Sequence, residues 1–188
     1  AYDKDKLKTA PASWKDFWNI KDFPGKRGLR KGAKYTLEFA LMADGVPATD
    51  VYKTLATPEG VERAFKKLDE LKPNIQWWEA GAQPPQWLVA GDVVMSSAYN
   101  GRIAAAQKEG KALAVAWPES IYDMDYFALV KGSKSGDAAY DFLKYFTQAE
   151  PQAAYSKQIP YGPVNPKAVE TLPDDQAKQL PTHKDNLT

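Results

Sequence analysis

The 188-residue chain has no cysteine and one histidine, His183. Without thiols there can be no disulfide, no thiolate nucleophile and no Cys-ligated zinc. A lone imidazole in a polar tail leaves little from which to build a Ser-His-Asp relay or a histidine metal site. Glycine-rich phosphate loops of the Walker or Rossmann spacing are missing as well. No apolar stretch reaches the roughly 20 residues of a membrane-spanning helix. Nor is one sign of charge in excess: 25 Lys and Arg against 24 Asp and Glu give a net charge of +1, so nucleic acid and membrane surfaces are not expected partners. No cofactor is expected. The chain begins with Ala rather than Met, which we read as a processed or excised product. Asn186-Leu187-Thr188 fits a glycosylation sequon, which we take as a chance match.

What is present is an ordinary globular balance, 44% hydrophobic and 26% charged, with an excess of aromatics: 6 Trp, 10 Tyr and 7 Phe. The length suffices for a core and for one or two domains. Trp and Tyr serve both cores and the walls of ligand clefts.

Turn and cap signals divide the chain into alternating strands and helices. Ser13, with Asp16 three residues on, predicts a helix start. Residues 35–41 predict a second helix, stopped by Asp44-Gly45 and Pro47. Thr57-Pro58-Glu59 is a strong helix entry, and the run ends at Lys72-Pro73. Strands are expected at 29–30, 75–78, 93–98, 112–118 and 125–130, and helices at 83–90, 103–108 and continuously from 137 to about 156. Gly91 is the expected C-terminal cap of the 83–90 helix. Beyond Ile159 the tail reads as irregular or weakly helical. The class is α/β.

Two charges stand out at the ends of apolar runs: Arg102 in Tyr99-Asn100-Gly101-Arg102, and Asp125 in Tyr122-Asp123-Met124-Asp125. A guanidinium clamps a carboxylate bidentately, and a carboxylate holds an ammonium. If both face one cleft, they describe a small zwitterion. A cation in the first turn of a helix opposes the macrodipole by ~0.3–1 kcal/mol, and a bound anion reverses that cost. The plainer alternatives are a solvated Arg102 and an Asp125 that caps a turn or pairs with a lysine. Asp123 is a rival to Asp125, two residues away on the same face if the strand starts early. Tyr99 could wall the cleft or make a cation–π contact, and Tyr122 and Tyr161 are looser candidates. Trp77 and Trp78 fall on opposite faces of their strand, so at most one lines a cleft.

Several collinear segments resemble the extracellular solute-binding proteins of bacterial ABC importers, in the polyamine-binding branch. They are Tyr2-Asp3-Lys4-Asp5-Lys6-Leu7, Ser13-Trp14-Lys15-Asp16-Phe17, Leu71-Lys72-Pro73-Asn74-Ile75, Leu88-Val89-Ala90-Gly91-Asp92-Val93 and Asp125-Tyr126-Phe127-Ala128-Leu129. The resemblance implies a periplasmic-binding-protein-like lobe, a mixed sheet flanked by helices, plus part of a second lobe. It assigns 1–121 to one lobe, 122–165 to the hinge return and the other lobe, and 166–188 to a segment returning toward the first. It implies a fragment without the N-terminal lobe. It also implies a periplasmic location, an inner-membrane ABC permease as partner, and a small amino acid or polyamine as ligand.

In polyamine-binding members an acid occupies the place of Arg102, whereas the acid at Asp125 is retained. That exchange resembles the branch that binds γ-aminobutyrate and related amino acids, with polyamine as the alternative. Tyr99 stands where the family has a stacking Trp. The tandem Tyr of iron-binding relatives is absent, so no metal is expected. A hydrolase or transferase using Asp123, Asp125 or Glu119 as acid and base is the competing class, and dimerisation through exposed lobe surface is a third.

Overall fold

The computed structural model describes residues 1–186; Leu187 and Thr188 of the sequon lie outside the described residues. The chain divides into two compact units, Ala1–Ser120 and the residues from Ile121 onward.

The first unit is built on a five-stranded mixed sheet in the order β3-β2-β4-β1-β5. β1 (Tyr2–Asp3) runs antiparallel to β4 (Met95–Ser96) and β5 (Leu113–Ala114). β2 (Arg27–Arg30) runs parallel to β3 (Ile75–Trp78) and to β4. The short extended piece expected at 29–30 is thus a central strand, with Arg27, Gly28 and Leu29 all buried. Its close neighbour requires a glycine: a Cβ on Gly28 would run into the Ser96 side chain opposite it. Ser96 Oγ donates to Gly28 O at 3.1 Å across this contact.

The helices follow their caps. Ser13 Oγ accepts from Asp16 N at 3.3 Å to open α1 (Trp14–Trp18), while the Asp16 carboxylate accepts from Ala12 N at 2.7 Å. α2 (Thr36–Ala43) is buried along its whole length. α3 (Val51–Leu55) was not signalled by any cap. Thr57 Oγ1 accepts from Gly60 N to open α4 (Pro58–Leu71), with Pro58 at the first position. α2 packs on α1, α3 and α4, and Trp14 stacks on Phe39 with ring centroids 3.7 Å apart. α5 (Gln83–Ala90) ends on Gly91 at φ 87, the left-handed cap that glycine favours. Lys6 Nζ donates to Leu88 O and Val89 O at that helix end, where a cation is favoured. α6 (Asn100–Lys108) joins α5, β5 and the segment leading into β4 around a core of Leu88, Val93, Ile103 and Leu113.

Arg27 replaces a turn's worth of backbone bonding. Its guanidinium is fully buried and donates to the carbonyls of Phe17, Asn19, Phe23 and Gly25. Burial pulls its pKa down to about 10, still well above neutrality, so it keeps its charge. Glu119, at a left-handed φ of 59, ties the far end of the unit to α1. Its Oε2 accepts from Trp14 N at 2.7 Å and its carbonyl from Trp14 Nε1 at 2.9 Å. Glu119 is therefore a helix cap.

In the second unit the helix expected to run from 137 to about 156 is two helices, α7 (Gly136–Phe146) and α8 (Ala149–Gln158), with extended backbone at Gln148 between them. Pro151 explains the break. Its ring would clash with the Thr147 carbonyl in a continuous helix, whereas in the first turn of α8 its missing N–H costs nothing. The expected strand at 125–130 is not formed. A strand needs a ladder neighbour for its N–H and C=O groups, and none pairs with this segment among the described residues. Tyr126 is 79% exposed and Val130 77% exposed. Phe127 instead packs edge-on against Phe142 and Phe146, with centroids 5.8 and 5.3 Å away. α8, α9 (Pro166–Glu170) and the tail through α10 (Asp174–Ala177) to Leu180 enclose a small core of Ala153, Ala168, Leu172 and Leu180.

Replacing Arg27 by Met leaves four carbonyls without their charged donor. We expect Arg27→Met to lower stability by about 3 kcal/mol or more, read as a reduced urea midpoint at unchanged slope.

Candidate functional site

The three parallel strands β2, β3 and β4 end on one edge of the sheet, at Arg30, Trp78 and Ser96. The chain leaves β2 outward to β3 and then returns past β2 to β4, so strand order reverses between β2 and β4. Open α/β sheets hold their ligands at such a reversal, outside the carboxyl ends of the strands. Tyr99 and Arg102 follow β4 on that edge.

Arg102 lies in the first turn of α6 as its third residue, the helix beginning at Asn100 rather than at the expected Ile103. The capping residue, Tyr99, makes no side-chain hydrogen bond to the helix start. Its carbonyl accepts from Arg102 N at 3.0 Å, which ties the two residues together. The Arg102 side chain is exposed and Tyr99 is part-exposed. An uncapped helix start with a guanidinium in its first turn is suited to a carboxylate: backbone dipoles and cation act on the same charge.

Behind this pair the site is packed. The Tyr99 ring meets Trp78 edge-on, with centroids 5.5 Å apart at 79°. Trp78 is buried and donates from Nε1 to Ser97 Oγ at 3.1 Å, whereas Trp77 is turned outward. The two tryptophans thus divide between the strand faces, and the buried one backs the site. Gly81 in the loop after β3 lies directly against Tyr99; a Cβ there would be 2.8 Å from Tyr99 Cδ2 and 3.9 Å from Arg102 Cγ. Gln83 holds that loop, its Oε1 accepting from Glu79 N at 2.9 Å and Ala80 N at 2.8 Å.

The remaining sequence candidates lie in the second unit. Tyr122, Asp123 and Asp125 are exposed on the irregular segment before α7. Asp123 Oδ1 accepts from Met124 N at 3.0 Å, a local turn contact. With no strand over 125–130, a shared strand face no longer relates Asp123 to Asp125. Tyr161 is half-buried after α8, its carbonyl accepting from Ser156 Oγ at 2.8 Å.

A family model described as bacterial extracellular solute-binding protein matches residues 1–185. The chain belongs to that family. It is 65% identical over 187 residues to a protein of Pseudomonas aeruginosa named gamma-aminobutyric acid-binding protein, covering all of this chain and 53% of that protein. It is 23% identical over 178 residues to the spermidine/putrescine-binding periplasmic protein of Escherichia coli, covering 94% of this chain and 49% of that one. Among solved structures it is similar to a GABA receptor at 35% identity and a TM-score of 0.85, covering 98% of this chain and 57% of that one. An ABC transporter substrate-binding protein of Bradyrhizobium japonicum matches at 39% identity and a TM-score of 0.84, with 98% and 57% covered. The chain spans about half the length of the curated relatives it matches. The mixed sheet flanked by helices is the fold of this family's solved members.

Gly81, Gln83 and Ser97 escaped the sequence reading. Ala80-Gly81-Ala82 followed by Pro84-Pro85 marks a turn into a helix, but nothing in it signals that Tyr99, 18 residues later, would rest on Gly81. Ser97→Ala leaves the buried Trp78 N–H without a partner. We expect a loss of about 1–3 kcal/mol, measured by urea unfolding.

Proposed function

We propose that this chain is the ligand-binding portion of a transport receptor that takes up a small zwitterionic amino acid such as γ-aminobutyrate. The observation that carries the reading is Arg102 in the uncapped first turn of α6, at the strand-order reversal of a solute-binding fold. Arg102 and the helix start take the carboxylate. Tyr99 walls the site against the ligand's methylene chain. Asp125 takes the ammonium, with Asp123 as the nearby alternative and Tyr122 and Tyr161 as further aromatic contacts. The 65% identity to a gamma-aminobutyric acid-binding protein supports this ligand class over a diamine, for which the relatives named as polyamine binders are at 23%.

Function on this reading is capture by closure of a two-lobed protein, with no bond made or broken and no enzymatic role. The receptor works in the periplasm and delivers its ligand to an ABC permease of the inner membrane. Residues 1–121 make up one lobe, and 122–165 belong to the other. Exposed Tyr126 and Val130 offer a surface through which the isolated chain would dimerise, a property that sedimentation reads directly.

Calorimetry on the full-length protein carrying this chain tests the ligand. Binding of γ-aminobutyrate with none of putrescine is expected, and the reverse sinks the zwitterion reading. Arg102→Ala should weaken a carboxylate ligand by roughly 2–5 kcal/mol and a diamine far less. An equal loss for both would make Arg102 a structural residue.

A further inference from the structure

Gly81 carries no group that could touch a ligand, yet it is the point at which one loop meets both Tyr99 and Arg102. A Cβ at this position would stand 2.8 Å from Tyr99 Cδ2, 3.1 Å from Tyr99 Cε2 and 3.9 Å from Arg102 Cγ. The first of these is closer than carbon atoms approach without displacement, so the ring must shift, and its open side is the 38% that is exposed. The ring also packs edge-on against Trp78, which Ser97 holds in place. The loop is held as well. Gln83 Oε1 accepts two of its backbone N–H groups, and Lys31 pairs with Glu79 at 3.0 Å outside it. The Tyr99 ring thus meets both a held loop and a held indole, and the first turn of α6 hangs from the same residue through the Tyr99 carbonyl.

We infer that Gly81 is a positioning residue: its missing side chain sets the seat of the Tyr99 ring and, through Tyr99, the first turn of α6 that carries Arg102. Any side chain at 81 pushes the ring outward into the space the ligand occupies and shifts the guanidinium with it. This rests on the reading that Arg102 binds the ligand carboxylate, and it adds the element that determines where that guanidinium stands.

The test is a double-mutant cycle in the full-length protein, with γ-aminobutyrate as the probe and calorimetry as the readout. Gly81→Ala should weaken binding about tenfold or more. In a Tyr99→Ala background, where no ring remains to displace, the same substitution should change affinity by less than about twofold. Gly136→Ala, at a glycine with nothing within 4 Å of its Cβ position, serves as the neutral control. An equal loss from Gly81→Ala in both backgrounds would overturn the inference, because the effect would not pass through Tyr99. Should Gly81→Ala bind normally while Arg102→Gln loses binding, the inference fails and the site reading survives. If Arg102→Gln also binds normally, both fail. Should Gly81→Ala not fold, adding Tyr99→Ala removes the clash and should restore a folded protein; failure to restore it likewise overturns the inference.

Discussion

The architecture of the first unit turns on the close approach of β2 to β4. Gly28 has no side chain, so Ser96 can come against it and the Ser96 hydroxyl bonds to the Gly28 carbonyl. That contact places β2 inside the sheet, one strand from its edge, with β3 on one side and β4 on the other. The strand-order reversal, and with it the crevice edge where Tyr99 and Arg102 emerge, exists only because those two strands are adjacent. A larger residue at 28 would separate β4 from β2 and move the start of α6.

Buried polarity supports this arrangement at both ends of the sheet. At the amino end of β2 the Arg27 guanidinium satisfies one carbonyl of α1, that of Phe17, and three of the irregular loop that follows it. At the carboxyl end of β3 the Trp78–Ser97 bond holds the indole on which Tyr99 rests. Each bond is modest in net terms, about 1 kcal/mol, but leaving either partner buried and unpaired costs more. The site therefore inherits rigidity from groups that never meet a ligand.

Local chemistry was read well wherever a cap or a breaker acts over a few residues. Ser13, Thr57 and Gly91 each sit where their side chain, or its absence, places them. Errors arose where the decision lay elsewhere in the chain. The apolar run 125–130 has the pattern of a strand and lacks a ladder neighbour, so its backbone stays irregular. One error was local: Pro151 lies within the run expected to be a single helix and divides it into α7 and α8. The start of α6 moved three residues earlier than expected because Asn100-Gly101 reads as a turn when alone, whereas packing of Ile103 against Leu88, Val93 and Leu113 draws it into the helix.

For function, the amino-acid sequence alone determined the family and the absence of thiols, because residue types and their order carry both. Tertiary structure alone decided that Arg102 stands in an uncapped helix start, that Trp78 rather than Trp77 backs Tyr99, and that Gly81 is where the Tyr99 ring rests. These depend on atoms brought together by the sheet across 18 to 21 residues of chain, between Trp78 or Gly81 and Tyr99 and between Gly81 and Arg102, and on volumes left empty. Neither distance nor emptiness is written in any local pattern of residues.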